Sequence, residues 1–128
     1  FEVGCAILGN DDLTVGRVDE IELAGDFFDF TEKYSLKTSK IHMPARISSE
    51  TEARIQKTAK QIYRILGCSV FARVDLFLQK DGSILFNEVN TIPGFTDHSR
   101  FPNMLKGIGL SFSEIVAAIL RLGMENEA

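Results

Sequence analysis

Four residues capable of chemistry flank one turn in FARVDLFLQKDGSILFNEVNTIPGF, Phe71 to Phe95: Arg73 and Asp75 before Asp81-Gly82, Glu88 and Asn90 after it. The alternation of apolar and polar residues on both sides is that of two β-strands. A two-residue turn at Asp81-Gly82 sets Lys80 opposite Ser83. Counting back predicts Phe77 opposite Phe86, Asp75 opposite Glu88 and Arg73 opposite Asn90, all on one face. Val74, Leu76 and Leu78, with Leu85 and Val89, take the other face, a surface for a helix to cover.

Directly opposed carboxylates have Cβ atoms only about 4.5–5.5 Å apart and destabilise the pair unless something neutralises them. A divalent cation does so. With the Asn90 amide oxygen, Asp75 and Glu88 form an oxygen-only set suited to Mg²⁺ or Mn²⁺ rather than zinc. Mg²⁺ on few carboxylates completes its shell with water and substrate phosphates, so a metal here points to a nucleotide. The competing reading pairs Asp75 with Arg73 or a lysine and leaves Glu88 solvated. The abrupt exit Asn90-Thr91-Ile92-Pro93-Gly94-Phe95 puts the acids at a strand end, where a loop can hold a second ligand, and Gly94 permits close backbone approach.

The rest of the chain must position these groups. Val3 to Leu8 reads as a strand, Gly9 to Asp12 as a turn and Leu13 to Leu23 as a second, antiparallel strand. Phe27 to Phe30 reads as a short aromatic strand. The polar, lysine-bearing stretch Thr31 to Pro44 is either a lid or a solvated connection. Ser49 to Glu52 is a capping box opening a helix, with Ile55, Ala59, Ile62 and Leu66 on its apolar stripe and Gly67 ending it. A second helix opens at Ser111, capped with Glu114, and turns Phe112, Ile115, Val116, Ile119 and Leu120 inward. The expected fold is α+β, an antiparallel sheet with helices packed on one face.

Composition narrows the function classes. The 128 residues are 45% hydrophobic and 25% charged, enough for a single core, with a formal charge of −4 and no general basic footprint for nucleic acid. Arg46, Lys57, Lys60 and Arg64 read as a solvated helix face. No apolar run is long enough to cross a bilayer and no leader pattern is present, which suggests a cytoplasmic chain. Cys5 and Cys68 lack paired spacing and read as reduced core thiols. His42 and His98 lie in loops without an i,i+4 partner and read as ordinary hydrogen-bonding residues. A strand beginning at Phe1 suggests a piece of a longer protein.

Taken together, ARVDLFL, the Asp81-Gly82 turn, FNEVNTIPGFT and HSRFP resemble the C-terminal part of the D-alanine–D-alanine ligase family of the ATP-grasp superfamily, from Glu2 through the last helix. The resemblance implies an enzyme that uses ATP and Mg²⁺ (or Mn²⁺) to form a D-alanyl phosphate, which the amine of a second D-amino acid attacks through a tetrahedral intermediate. It implies metal ligands at Asp75, Glu88 and Asn90, in agreement with the hairpin count. It implies an oxyanion-stabilising Arg73, a Gly94 N–H donor to the same oxygen, a Ser99 contact to the second substrate's carboxylate, and Glu2 on the ATP ribose. Phe77 and Asn87 match positions lining the nucleotide pocket, Phe77 being equally readable as core. Lys33 and Tyr34 match a closing loop that excludes water, and Tyr34 argues for an amine nucleophile.

FTEKYSLKTSKI and NTIPGFTDHSRFP are more similar to the vancomycin-resistance ligases, the VanG-type D-alanine–D-serine branch, with D-alanine–D-alanine ligase as the alternative. The implied partners are D-Ala, D-Ser and ATP, with no nucleic acid or membrane, and the full-length protein is implied to be a homodimer. Residues 1–128 are then one domain, with the N-terminal domain and first ATP-grasp subdomain absent and no turnover by the fragment alone. A non-catalytic nucleotide-binding or partner-binding module is the alternative of another class. The intact set Arg73, Asp75, Glu88 and Asn90 favours the enzyme.

Overall fold

The stretch EVGCAIL is apolar at almost every position, so a strand made from it must be covered on both faces. In the computed structural model, which describes residues 1–23 and 39–126, it forms the central strand β1 (Glu2–Leu8), buried along its whole length. The other strands are β2 (Thr14–Val15), β3 (Asp19–Leu23), β4 (Ser39–His42), β5 (Phe71–Leu78) and β6 (Ile84–Asn90). Their order is β4-β3-β1-β5-β6, every pairing is antiparallel, and β2 pairs with the far end of β1. The helices are α1 (Ser49–Ile65), α2 (Arg100–Lys106) and α3 (Phe112–Glu125). The expected Phe27–Phe30 strand and most of the Thr31–Pro44 stretch, Lys33 and Tyr34 included, lie outside the described residues.

The α+β class and antiparallel sheet are as expected, but the helices divide between both faces. Val3, Cys5 and Ile7 pack with Val74, Leu76 and the α1 residues Ile55, Ala59 and Tyr63. Ala6 and Leu8, on the other face, pack with Phe101, Met104 and Leu105 of α2 and Ile115 and Leu122 of α3. Alternation along β1 makes this unavoidable, since both sets are apolar. The burial also raises the pKa of the Cys5 thiol, in keeping with an inert core cysteine.

Several expected details shift by a residue or a turn. The strand anticipated over Leu13–Leu23 is broken between β2 and β3, because the Arg17 N–H donates to the Met104 carbonyl and the Val18 N–H to the Glu52 carboxylate. A Cβ on Gly16 would sit 2.8 Å from that same Met104 carbonyl oxygen, so the close approach of α2 requires glycine. Glu52 also takes the Arg17 Nε at 3.0 Å, which removes it from the anticipated capping box. The N-cap is Ser48, whose hydroxyl accepts from the Thr51 N–H. In α1 the buried positions are Ile55, Ala59 and Tyr63, whereas Leu66 has become the exposed C-cap beside Gly67, φ 71°. The box at Ser111 and Glu114 is present as expected, but Leu120 is 64% exposed and Leu122 is buried in its place. Lys57, Lys60 and Arg64 are exposed on α1 as expected of a solvated face, whereas Arg46 precedes the helix and pairs with Glu20.

The hairpin carries two irregularities. Its turn is a three-residue loop in which Gln79 N–H donates to Ser83 O and Gly82, at φ 88°, donates to Gln79 O. Phe77 therefore faces Leu85, not Phe86, and Leu85 sits on the polar face rather than against α1. A bulge at Asn87 then absorbs the offset, so that Asp75 faces Glu88 and Arg73 faces Asn90.

Tyr63 ties the first core to the β1–β2 turn through a buried 2.7 Å hydrogen bond from its hydroxyl to the Gly9 carbonyl. Tyr63→Phe is expected to cost about 1–3 kcal/mol, because the carbonyl is left buried without its donor. Urea denaturation of the purified chain should show a lower midpoint with an unchanged slope.

Candidate active site

Where α2 and α3 stop covering the second face of the sheet, that face turns from apolar to charged. Ala6 and Leu8 give way along β1 to Gly4 and Glu2, opposite Asp75 and Phe77 of β5 and Asp19 and Ile21 of β3. Glu2, Asp19 and Asp75 are all nearly inaccessible, at 4%, 0% and 0% exposure. Buried carboxylates of this kind require partners.

The partners are two arginines. Arg73 forms a fork on Asp75, Nε to Oδ1 and Nη2 to Oδ2 at 2.9 Å each, while Asn90 Nδ2 donates to Oδ2 at 2.9 Å. Arg100, the first residue of α2, forks onto Asp19 at 2.8 Å through both Nε and Nη2 and lies 3.8 Å from Asp75 Oδ1. Burial alone opposes the charge on Arg100, but hydrogen bonds to Asp19 and the charges of Asp19, Asp75 and Glu2 more than offset it and hold its pKa above the ordinary value. Gly4 makes room for this crossing. A Cβ there would run into Arg100 Nη2 and lie 2.7 Å from Asp19 Oδ1.

The bulge does a second job. It aims Asn87 onto the polar face, where its Nδ2 reaches Glu2 Oε1 at 3.4 Å. Glu2 and Phe77 also line a cleft of about 420 Å³ with Ile21 and Arg46. Beside it, Glu20 accepts from the side chain and backbone N–H of Arg46, and these contacts hold its carboxyl below its usual pKa. A second cleft of about 370 Å³ opens along Asp19, Arg100, His98 and Asn103.

The loop after β6 is anchored by aromatic packing. Phe95 lies 5.9 Å from Phe101 and 5.3 Å from Phe112, centroid to centroid, and Pro93 is buried, while Gly94 is exposed. This brings Gly94 beside Ser99, whose hydroxyl accepts from the Thr96 N–H and exchanges a 2.8 Å hydrogen bond with Thr96 Oγ1. His42, the last residue of β4 rather than a loop residue, hydrogen-bonds Glu22, and the backbone N–H of His98 donates to Thr96 Oγ1.

Of the residues expected from sequence, Arg73, Asp75, Glu88, Asn90, Glu2, Phe77 and Asn87 therefore share one face. Gly94 and Ser99 form a neighbouring loop, and Lys33 and Tyr34 are outside the described residues. Asp19, Arg100 and Gly4 were not anticipated as site residues. The available signal was Asp19-Glu20, two successive acids where an alternating strand would place only one on each face.

Glu2, Asp19, Asp75 and Glu88 bring carboxylate oxygens to the same face as the guanidinium groups of Arg73 and Arg100. Carboxylate and amide oxygen donors on one face fit a divalent cation in type. Among the described residues no group of three or more His, Cys, Asp or Glu gathers as a metal cage. An ion here would rest on two acids and an amide, with substrate and water completing its shell.

Comparison with known proteins gives a consistent set of relatives. Residues 1–121 match the family model described as D-ala D-ala ligase C-terminus. The crystal structure of VanG D-Ala:D-Ser ligase from Enterococcus faecalis superposes with a TM-score of 0.86 and 66% identity, over 95% of this chain and 36% of that one. The vancomycin C-type resistance protein VanC2 of Enterococcus casseliflavus is 47% identical over 124 residues, 97% of this chain and 35% of the relative. A D-alanine–D-alanine ligase of Chlorobium phaeovibrioides is 43% identical over 127 residues, 98% of this chain and 35% of the relative. The chain spans about a third of the length of these proteins.

The crowding at Gly4 gives a direct test of the arrangement. Gly4→Ala is expected to destabilise the chain by about 1–3 kcal/mol by pushing Arg100 and Asp19 apart. Gly123→Ala in α3, where a Cβ meets nothing within 4 Å, serves as the control and should gain roughly 0.5–1 kcal/mol in the same denaturation assay.

Proposed function

The chain belongs to the D-ala D-ala ligase C-terminus family, and on that premise we propose that it forms the metal and oxyanion half of an ATP-dependent D-alanine–D-serine ligase. In this reading residues 1–128 are one domain, the C-terminal ATP-grasp part, which acts together with an N-terminal domain and a first ATP-grasp subdomain. The observation that carries the reading is the pairing of Asp75 with Glu88 and of Arg73 with Asn90 on one partly buried sheet face.

Asp75, Glu88 and Asn90 would hold Mg²⁺ or Mn²⁺, which when bound supplies neutralising charge for the phosphates of ATP. Glu2 accepts hydrogen bonds from the ribose hydroxyls, and Phe77 and Asn87 line the nucleotide cleft. D-alanine is activated as its acyl phosphate. As the second amine attacks, negative charge grows on the carbonyl oxygen, and the Arg73 guanidinium with the Gly94 N–H stabilises it. Ser99 contacts the carboxylate of the second amino acid. The family resemblance gives Lys33 and Tyr34, outside the described residues, the role of keeping water from the acyl phosphate.

The product serves altered peptidoglycan precursors and hence vancomycin resistance, in a cytoplasmic homodimer that uses no nucleic acid or membrane. The likeness to the VanG D-Ala:D-Ser ligase supports D-serine over D-alanine as second substrate and the likeness to VanC2 supports a part in vancomycin resistance, whereas the Chlorobium relative keeps a D-alanine–D-alanine ligase as the second reading.

In the intact protein, Asp75→Asn and Glu88→Gln are each expected to lower Mg²⁺-dependent turnover by roughly a hundredfold or more. Full activity in both would reduce the two acids to structural pairing, and ATP-dependent D-Ala–D-Ser formation by the purified 128-residue chain would refute the half-site reading. The second substrate is decided by competition of D-Ala against D-Ser near neutral pH. Preferential incorporation of D-Ser is the expected outcome, and preference for D-Ala would make the enzyme a D-alanine–D-alanine ligase.

A further inference from the structure

Both oxygens of Asp75 are already engaged. Oδ1 accepts from Arg73 Nε, and Oδ2 accepts from both Arg73 Nη2 and Asn90 Nδ2, each at 2.9 Å. The carboxylate that the ligase reading assigns to a cation thus holds the arginine that the same reading assigns to the substrate's oxygen. Asn90 also turns its amide nitrogen, not its oxygen, toward Asp75. A guanidinium fork and a metal ion compete for the same in-plane lone pairs of a carboxylate.

Resting on the ligase reading, we propose that Arg73 and the divalent cation exchange at Asp75. The cation takes the carboxylate, the Asn90 amide turns its oxygen inward, and the displaced guanidinium swings to the position of the substrate's carbonyl oxygen. Arg73 is then held idle on Asp75 until the cation arrives, which couples metal loading to the arming of the oxyanion site.

Three features of the site suit such an exchange. Arg73 and Asp75 are two residues apart on one face of β5, so the guanidinium can move by side-chain rotation with no change in the strand. Arg100 stays 3.8 Å from Asp75 Oδ1, tethered by its fork on Asp19, so Asp75 keeps one cationic neighbour throughout and is never left without counter-charge. The Arg73 side chain is 16% exposed while that of Asp75 is 1% exposed, which leaves the arginine on the open side of the pair.

The test is a Mn²⁺ titration of the intact protein followed by electron paramagnetic resonance, with and without ADP. Asp75→Asn should abolish tight Mn²⁺ binding; if it binds as well as the unaltered protein, the metal assignment fails and the exchange with it. Arg73→Gln and Arg73→Ala should bind Mn²⁺ roughly tenfold more tightly, because a competing cation has been removed. Unchanged or weaker binding in both, with Asp75→Asn still defective, overturns the exchange and leaves the metal assignment standing. A second measurement needs no variant to bind metal. The ¹⁵N Nε–H resonance of Arg73, identified by its loss in Arg73→Lys, should shift and lose its protection from solvent exchange when Mg²⁺ and ADP are added to the unaltered protein. A resonance unmoved at saturating Mg²⁺ overturns the proposal.

Discussion

A carboxylate withdrawn from water beneath a sheet has to find its counter-charge inside the fold, and Asp75 finds it in two arginines from different elements. Arg73 comes from its own strand. Arg100 comes from the start of α2, and it can reach the sheet only because β1 has no side chain at Gly4 and because Asp19 grips its guanidinium. The position of α2, the identity of one β1 residue and the acid in β3 are thus tied to a single buried charge. The second core begins just beyond, where Ala6 and Leu8 meet Phe101, Met104 and Leu105.

The pairing of the acids was legible in the sequence, although by a route that hid two compensating features. A two-residue turn at Asp81-Gly82 and an unbroken ladder predict Asp75 opposite Glu88. The protein reaches the same pairing with a three-residue turn and a bulge. Each shifts the count by one, and the shifts cancel at Glu88 and Asn90 but not at Leu85 and Phe86. Asp-Gly is compatible with either turn, so local chemistry does not choose between them. The bulge also explains how Asn87 comes to share a face with Glu2, which strict alternation from Glu88 does not allow.

What remained hidden was long-range. Asp19 and Arg100 are 81 positions apart, and their bond depends on α2 docking against the far side of the sheet. Nothing in the periodicity of either segment specifies that docking. The same limit applies to Glu52, a good capping-box residue by spacing, which is captured instead by Arg17 and the Val18 N–H. The local signal of Ser111 with Glu114 is realised at the surface, where both residues are exposed and hydrogen-bond each other. The central strand's double coverage was implicit in EVGCAIL, where both alternating sets are apolar.

The loop from Thr91 to Ser99 interleaves anchored and open positions: Pro93 is buried and Phe95 sits among Phe71, Phe101 and Phe112, whereas Ile92, Gly94 and residues 96–98 face outward. Aromatic contacts of this kind contribute about 0.5–1.5 kcal/mol each beyond the area they bury. The conformational entropy of the loop is therefore surrendered when the chain folds, not when a ligand arrives. Side chains at the outward positions can change while the backbone amides between them stay in place. One frame can thus present different recognition surfaces to chemically similar small molecules without rebuilding the sheet beneath.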